Sequence, residues 1–370
     1  MKIAILGTRG IPNNYGGFEQ FAEYLSCGLV ERGHEVIVYN PHFHPYRLSE
    51  YKGVRIVQKY SPENYLGAAA NFIYDYLCLK DALDMQCDII LECGYHSNAP
   101  SYYLIGKDSS SVVVTNMDGL EWKRSKWNNL TRKLIKSLEK LAVSKSHVLV
   151  SDNLGIQEYY LQEYNKESYF IPYGAICAGS FDEKILENYQ LFKKNYFLLI
   201  ARLEPENNIE TILDGFCLSK CEIPFIVVGG VNSNYGKFLI DKYKGQNIVF
   251  LGGIYKLHDL NNIRKFARAY FHGHSVGGTN PSLLEAMGSD SNIIAHDNKF
   301  NRSVLAENAL YFKNKEEIRD IITKQSYLEG EECRISRNRK LITENYSWEN
   351  IITKYETLFS SVLKTPKNGY

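Results

Sequence analysis

The sequence has no long apolar run. Nothing in it approaches the ~20 residues that a bilayer-spanning helix needs. It also has no charge bias: 43 Lys and Arg face 42 Asp and Glu, a formal net charge of +1, which excludes bulk binding to nucleic acid. Its eight cysteines form no Cys-x-x-Cys pair. Several lie in apolar stretches, where a free thiol acts as a small hydrophobe, so a disulfide framework is not expected and a reducing compartment is. Met1–Leu6 is too short for a signal peptide and leads straight into a glycine turn, which points to the cytoplasm, with peripheral membrane contact at most. Asp-x-Asp occurs nowhere. His272 and His274 could share one side of a strand as ligands, but no partner cluster accompanies them, so neither a metal nor a cofactor is expected.

What remains is an ordinary globular composition, 44% hydrophobic over 370 residues, a length that suggests two domains. The 28 tyrosines are unusual, and compositional drift accounts for them as well as ligand stacking does. Short apolar runs alternate with amphipathic stretches. Strands are expected at 3–6, 35–39, 89–92, 112–116, 147–150 and 168–171, with a helix over 18–32. A second series follows polar residues 175–195: strands at 197–201, 225–229, 248–251, 269–272, 292–295 and 310–312, with a helix over 209–218. Continuous apolar strands separated by helices predict parallel sheets covered on both faces. The fold class is therefore α/β, two doubly wound Rossmann-like domains, 1–174 and 175–345, with ligands at the strands' C-terminal ends across a central cleft.

Four segments carry candidate chemistry. In Gly7–Glu19, Gly16 and Gly17 permit close backbone approach before a helix start, with Arg9 and Tyr15 in the same loop; an ordinary βα turn is the alternative. In Thr115–Trp127, Asp118 ends a strand and Glu121, Lys123 and Arg124 follow. A carboxylate there could accept an acceptor's proton, or simply cap a helix ahead of a solvated charge run. In Leu199–Asn208, Arg202 ends the first strand of the second domain, placed for a diphosphate or for a surface ion pair. In His272–Met287, a glycine-rich loop opens a helix at Ser282, whose N–H groups and dipole suit a phosphate. Glu285 would face a ribose; Asn280 and Ser282 could meet phosphate or sugar.

These segments together resemble the GT-B glycosyltransferases of family 4, over nearly the whole chain. The features concerned are an N-terminal Gly-Gly loop, an Arg after the first strand of the second domain, a late Pro-Ser-Leu-Leu-Glu-Ala-Met helix and a last helix within 346–364 that would pack back on the first domain. Gly-Thr-Arg-Gly-Ile-Pro, Asp-Gly-x-Glu-Trp, Pro-Glu-Asn-Asn and His-Ser-Val-Gly-Gly-Thr-Asn-Pro resemble a bacterial rhamnosyltransferase-like subgroup more closely still. The chain departs from the wider family at Gly277, where that family has a glutamate, and at Asn207, where it has a lysine. Arg9, Lys299 and Arg302 are candidates for the missing cation.

The resemblance implies retaining, metal-independent transfer from a nucleotide sugar, dTDP-L-rhamnose in the subgroup reading. The acceptor would be a saccharide, linked to undecaprenyl diphosphate, in surface-polysaccharide assembly. It implies Asp118, Arg202 and Glu285 as catalytic residues. Donor binding would fall to Arg9, Gly16, Gly17, Asn207, His274, Gly277, Gly278, Thr279, Asn280, Pro281, Ser282 and Leu283, and acceptor binding to Tyr15, Glu121, Lys123 and Arg124. In 122–140 and just beyond, Leu130, Leu134, Leu138 and Leu141 share a face flanked by Lys123, Arg124, Lys126, Arg132, Lys133 and Lys136. That pattern suits either an anionic leaflet or an ordinary core-facing helix. Rival readings are a nucleotide-sugar epimerase of the same fold, a non-catalytic nucleotide-sugar-binding protein, and an oxidoreductase, which lacks the dinucleotide fingerprint.

Overall fold

The computed structural model describes residues 1–106, 109–124 and 127–364. Two compact units result: Met1–Tyr173 together with the chain from Trp348 onward, and Gly174–Ser347.

The first unit is built on eight strands: β1 (Lys2–Leu6), β2 (Glu35–Pro41), β3 (Glu50–Tyr51), β4 (Val54–Lys59), β5 (Ile89–Cys93), β6 (Val112–Asn116), β7 (Val148–Ser151) and β8 (Tyr169–Phe170). They lie in the order β3-β4-β2-β1-β5-β6-β7-β8. All neighbours are parallel except β3 and β4, a short antiparallel hairpin at the edge. The central strands are buried on both faces, with Ile3, Ala4, Ile5, Ile89, Ile90 and Leu91 fully covered, which is why they read as unbroken apolar runs.

Trp348–Lys364 forms a helix that packs on Gly17–Glu31. The two approach so closely that a Cβ on Gly28 would lie 2.3 Å from Ile352 Cδ1. Trp348 stacks on Tyr24 at 4.6 Å, and Arg32 bridges Glu349 (2.6 Å) and Glu356 (2.7 Å).

The helix Asn129–Lys145 does not use its leucine face as a whole for the core. Leu130 is 79% exposed and Leu134 is also exposed; the core side is Ile135, Glu139, Ala142 and Val143. The buried Glu139 carboxylate turns that face inward. It accepts hydrogen bonds from the hydroxyls of Tyr95 (3.0 Å), Tyr159 (2.6 Å) and Tyr164 (2.7 Å) and from Lys136 Nζ (3.0 Å), so its burial is compensated. Lys126, one of the expected flanking cations, lies outside the described residues.

The second unit has six strands: β9 (Phe197–Ile200), β10 (Phe225–Val228), β11 (Ile248–Gly252), β12 (Ala269–His272), β13 (Ile293–His296) and β14 (Leu310–Phe312). All are parallel, in the order β11-β10-β9-β12-β13-β14. Counted within the unit this is 3-2-1-4-5-6, the doubly wound dinucleotide-fold order. Phe197, Phe216, Phe225, Phe271 and Tyr327 pack edge-on or stacked at its centre. Among the described residues no helix is long and apolar enough to cross a membrane.

Candidate functional site

In each unit the strand order reverses beside the first strand, and the loops leaving those two strands diverge to form a crevice. In the second unit the reversal lies between β9 and β12, so the loops after Ile200 and His272 come together. They are laced to each other. Asn208 Nδ2 donates to the Gly273 carbonyl (2.7 Å), and the Ser275 N–H and Oγ both donate to the Glu206 carbonyl (3.1 and 2.7 Å). A Cβ on Gly273 would lie 1.9 Å from the Asn207 carbonyl oxygen, so only glycine allows this approach.

Asn207 and His274, expected to bind donor, are bonded to each other: His274 Nδ1 and Asn207 Oδ1 are 2.9 Å apart, and Asn207 Nδ2 donates to the Arg202 carbonyl (2.7 Å). Asn207 thus fixes the backbone of Arg202 and does not stand in for a lysine. The Arg202 side chain is exposed, with no ion-pair partner among the described residues.

The helix after β12 runs Pro281–Gly288, one residue earlier than expected, because Asn280 is its cap. Asn280 Oδ1 accepts from the Ser282 N–H (2.9 Å), and the Asn280 carbonyl accepts from the Leu283 N–H (3.0 Å). Those two N–H groups are therefore committed to the first turn. Leu283 is a core side chain. Gly277 takes φ +110° and Gly278 and Thr279 complete the loop before the cap.

Ser282 Oγ meets Tyr270 Oη (3.0 Å) and accepts from Arg264 (3.1 Å), and Glu285 Oε2 accepts from the same guanidinium at 2.6 Å. Arg264 had drawn no attention in the sequence. It is 1% exposed and its Nε has no partner among the described residues, so its charge rests largely on Glu285. His272 is buried with Nε2 unpartnered, and burial holds its pKa well below the usual histidine value. Of the substitute cations, Arg302 is tied to Asp297 (2.7 Å) and lies 3.8 Å over the Tyr311 ring. Lys299, at the start of its helix, is exposed.

In the first unit the reversal lies between β1 and β5. Gly7, at φ +76°, leaves β1 where a Cβ would lie 2.5 Å from the Cys93 carbonyl oxygen. Arg9 donates its N–H to Glu19 (2.7 Å), pairs with Glu63 (2.5 Å) and lies 4.1 Å over the exposed Tyr15 ring. Gly16 caps the helix that starts at Gly17.

Asp118 follows β6 at φ +42° and caps no helix; the next long helix is capped by Asn128. Its carboxylate accepts from the Tyr173 hydroxyl (3.3 Å). Burial raises its pKa, while the Gly119 N–H, the Tyr173 hydroxyl and the His96 imidazole oppose the rise. Exposed His96, in the loop after β5, is a residue the sequence reading missed. The charge run after Asp118 is partly tied down: Glu121 pairs with Arg124 (3.1 Å) and accepts from Trp127 Nε1 (3.2 Å), while Lys123 is exposed. Lys123 sits over the Trp122 ring at 5.2 Å.

Below the His96 loop lie two buried carboxyls. Burial lifts Asp75 to about 7 and Glu92 to about 8, and the proximity of Asp75 adds to the rise at Glu92. Asp75 bonds Ser97, and Glu92 accepts from Asn98 Nδ2 (2.7 Å), so the pair anchors the loop just after His96. Both are protonated in the folded protein at mildly acidic pH, and Asp75 begins to ionise near neutrality, whereas the unfolded chain ionises them near pH 4. The folded state binds more protons across that window, so stability falls as pH rises from about 4 to about 8, by up to ~1.4 kcal/mol per pH unit for each proton. Raised Asp118 and Glu19 act with the same sign. Urea unfolding of the parent should weaken between about pH 5.5 and 8.5 and that of Glu92→Gln less so; equal slopes would show that Glu92 ionises normally.

Among the described residues no three His, Cys, Asp or Glu side chains gather as metal ligands. Residues 182–348 match the family model for glycosyl transferases group 1, and residues 1–176 match DUF1972, a domain of unknown function. The chain carries a group 1 glycosyltransferase domain.

Solved structures agree along almost the entire length of this glycosyltransferase. Sucrose-phosphate synthase from Thermosynechococcus elongatus is 14% identical with TM-score 0.77, covering 97% of this chain and 98% of its own. HepE from Anabaena, in complex with UDP and glucose, is 15% identical with TM-score 0.75, covering 98% and 100%. The catalytic domain of starch synthase IV from Arabidopsis thaliana, bound to ADP and acarbose, is 13% identical with TM-score 0.74, covering 98% and 99%. At these identities the likeness establishes the fold, which is GT-B as the sequence implied. No curated protein matches the chain.

Proposed function

We propose that the glycosyltransferase moves L-rhamnose from dTDP-L-rhamnose, with retention and without a metal, onto a lipid-linked saccharide in bacterial surface-polysaccharide assembly. The observation that carries the transfer reading is the exposed Arg202 at the switch point of the second sheet, unpaired among the described residues. Charge builds on the β-phosphate as the sugar leaves, and a guanidinium held by its own backbone anchor stabilises it. The loop Gly277–Asn280 lines the same crevice and lies against the diphosphate. Asp118, with Tyr173 and His96 about it, orients the acceptor hydroxyl, and the departing phosphate takes its proton.

The rhamnosyl reading draws on the motif resemblance and on Gly277, which removes the wider family's carboxylate from the sugar pocket. The lipid reading draws on apolar side chains exposed in the first unit: Tyr65 (84%), Leu66, Phe72, Ile73 and Tyr76 along 63–76, and Leu130 and Leu134 beside exposed Lys133. Arg9 ties Glu63 of that segment to the loop after β1, so the apolar surface begins next to the crevice. Such a face suits an acyl or polyprenyl chain at the inner leaflet.

A thermal-shift panel of dTDP-, UDP- and GDP-sugars tests the donor. At a hundredfold excess over Kd a ligand adds about 2.7 kcal/mol, or roughly 5–10 °C for a unit of this size. dTDP-L-rhamnose is expected to give the largest shift; a larger one with a UDP- or GDP-sugar would reject it.

A further inference from the structure

Glu285 does not present two open oxygens. Its Oε2 is held at 2.6 Å by Arg264, and no donor among the described residues reaches Oε1. The Arg264 guanidinium cannot easily let go. It is 1% exposed, Glu285 is the one carboxylate with which it is paired among the described residues, and its other bonds go to Ser282 Oγ (3.1 Å) and, weakly, Asn261 Oδ1 (3.4 Å). Releasing Oε2 would strand a buried charge.

A carboxylate that grips a ribose does so through both vicinal hydroxyls, one per oxygen. With Oε2 engaged, the second hydroxyl would have to crowd onto the guanidinium's oxygen or go unpaired. A pocket that leaves a hydroxyl unpaired rejects the ligand carrying it. We propose that Arg264 sets the pentose specificity of the donor site: by occupying one Glu285 oxygen it selects a 2′-deoxyribonucleoside diphosphate, recognised through its single 3′-hydroxyl, over the ribonucleotide. This rests on the reading that Glu285 meets the nucleotide's pentose, and it is independent of which base is bound. Arg264 is a positioning residue here; it touches Glu285, and Glu285 touches the sugar.

The test is calorimetric titration of matched pairs that differ only at the 2′ position: dTDP with 5-methyl-UDP, dUDP with UDP, and dGDP with GDP. In whichever pair binds, the deoxy member should bind at least ~10-fold more tightly. In Arg264→Met both Glu285 oxygens are open, so the preference should vanish or invert; Arg264→Lys, which keeps a donor and the charge, should retain it. If Arg264→Met does not fold, the pairs on the parent protein still decide. Equal or tighter binding of the ribo member overturns the proposal, as does an unchanged preference in folded Arg264→Met. A deoxy preference on uracil or guanine in place of thymine would sink the dTDP donor and leave this inference standing. Failure of every nucleotide to bind would sink both.

Discussion

Arg202→Ala is expected to lower sugar transfer by about 10²–10³-fold while the protein melts within ~2 °C of the parent. The first half follows from where the guanidinium stands. It leaves the first strand of a 3-2-1-4-5-6 sheet at the switch point, it has no ion-pair partner among the described residues, and its backbone carbonyl is pinned by Asn207. A single pre-aimed donor on a developing oxyanion is typically worth two to three orders of magnitude. The second half follows from exposure: an exposed side chain can be removed with little effect on folding. Turnover of donor in the presence of acceptor, read beside a melting curve, checks both. Near-parental turnover would remove Arg202 from the diphosphate.

Glu285→Ala should behave differently. It is expected to destabilise the second unit by about 3 kcal/mol, because it leaves the buried Arg264 charge without a counter-ion. The figure sits at the low end for a broken buried pair because Glu285 is itself 20% exposed. In a unit of this size the melting temperature should drop by roughly 6–12 °C. Glu285→Gln, which keeps an acceptor oxygen for the guanidinium, should lose less. Paired urea and thermal unfolding curves measure this, and an unshifted Ala variant would mean that Arg264 is compensated elsewhere. The practical point is that lost activity in a Glu285 variant cannot be attributed to chemistry until stability has been measured, whereas the Arg202 result can be.

The strands were legible because burial on both faces leaves unbroken apolar runs, as in Ile3–Leu6 and Val112–Val114. The edge hairpin β3–β4 was not, since Glu50–Tyr51 and Val54–Lys59 mix exposed polar positions with only a few buried ones. The leucine face of Asn129–Lys145 stayed open between a leaflet and a core for a related reason. Apolar periodicity cannot register a carboxylate that three tyrosine hydroxyls and a lysine draw inward, and Glu139 rotates the buried face away from Leu130 and Leu134.

At the site, residue positions were readable and residue partnerships were not. Asn207, His274, Ser282 and Glu285 all stand around the crevice, yet each has a protein partner that a one-dimensional pattern does not reveal. Arg264 sits in the polar string Asn261-Asn-Ile-Arg-Lys265, where nothing distinguishes a buried guanidinium from a solvated one. His96 is a lone histidine in its segment, and its neighbourhood with Asp118 exists only because β5 and β6 run side by side.

The last helix has a consequence for how the molecule is made. Trp348–Lys364 supplies a wall of the unit that the first 173 residues begin, covering Gly28 and Tyr24. During synthesis that wall emerges only after the whole second unit has left the ribosome. The second unit can therefore fold while the first still shows an apolar flank to its surroundings, reversing the usual order in which the N-terminal portion is finished first. That exposure ends when the segment around Ile352 arrives to close it.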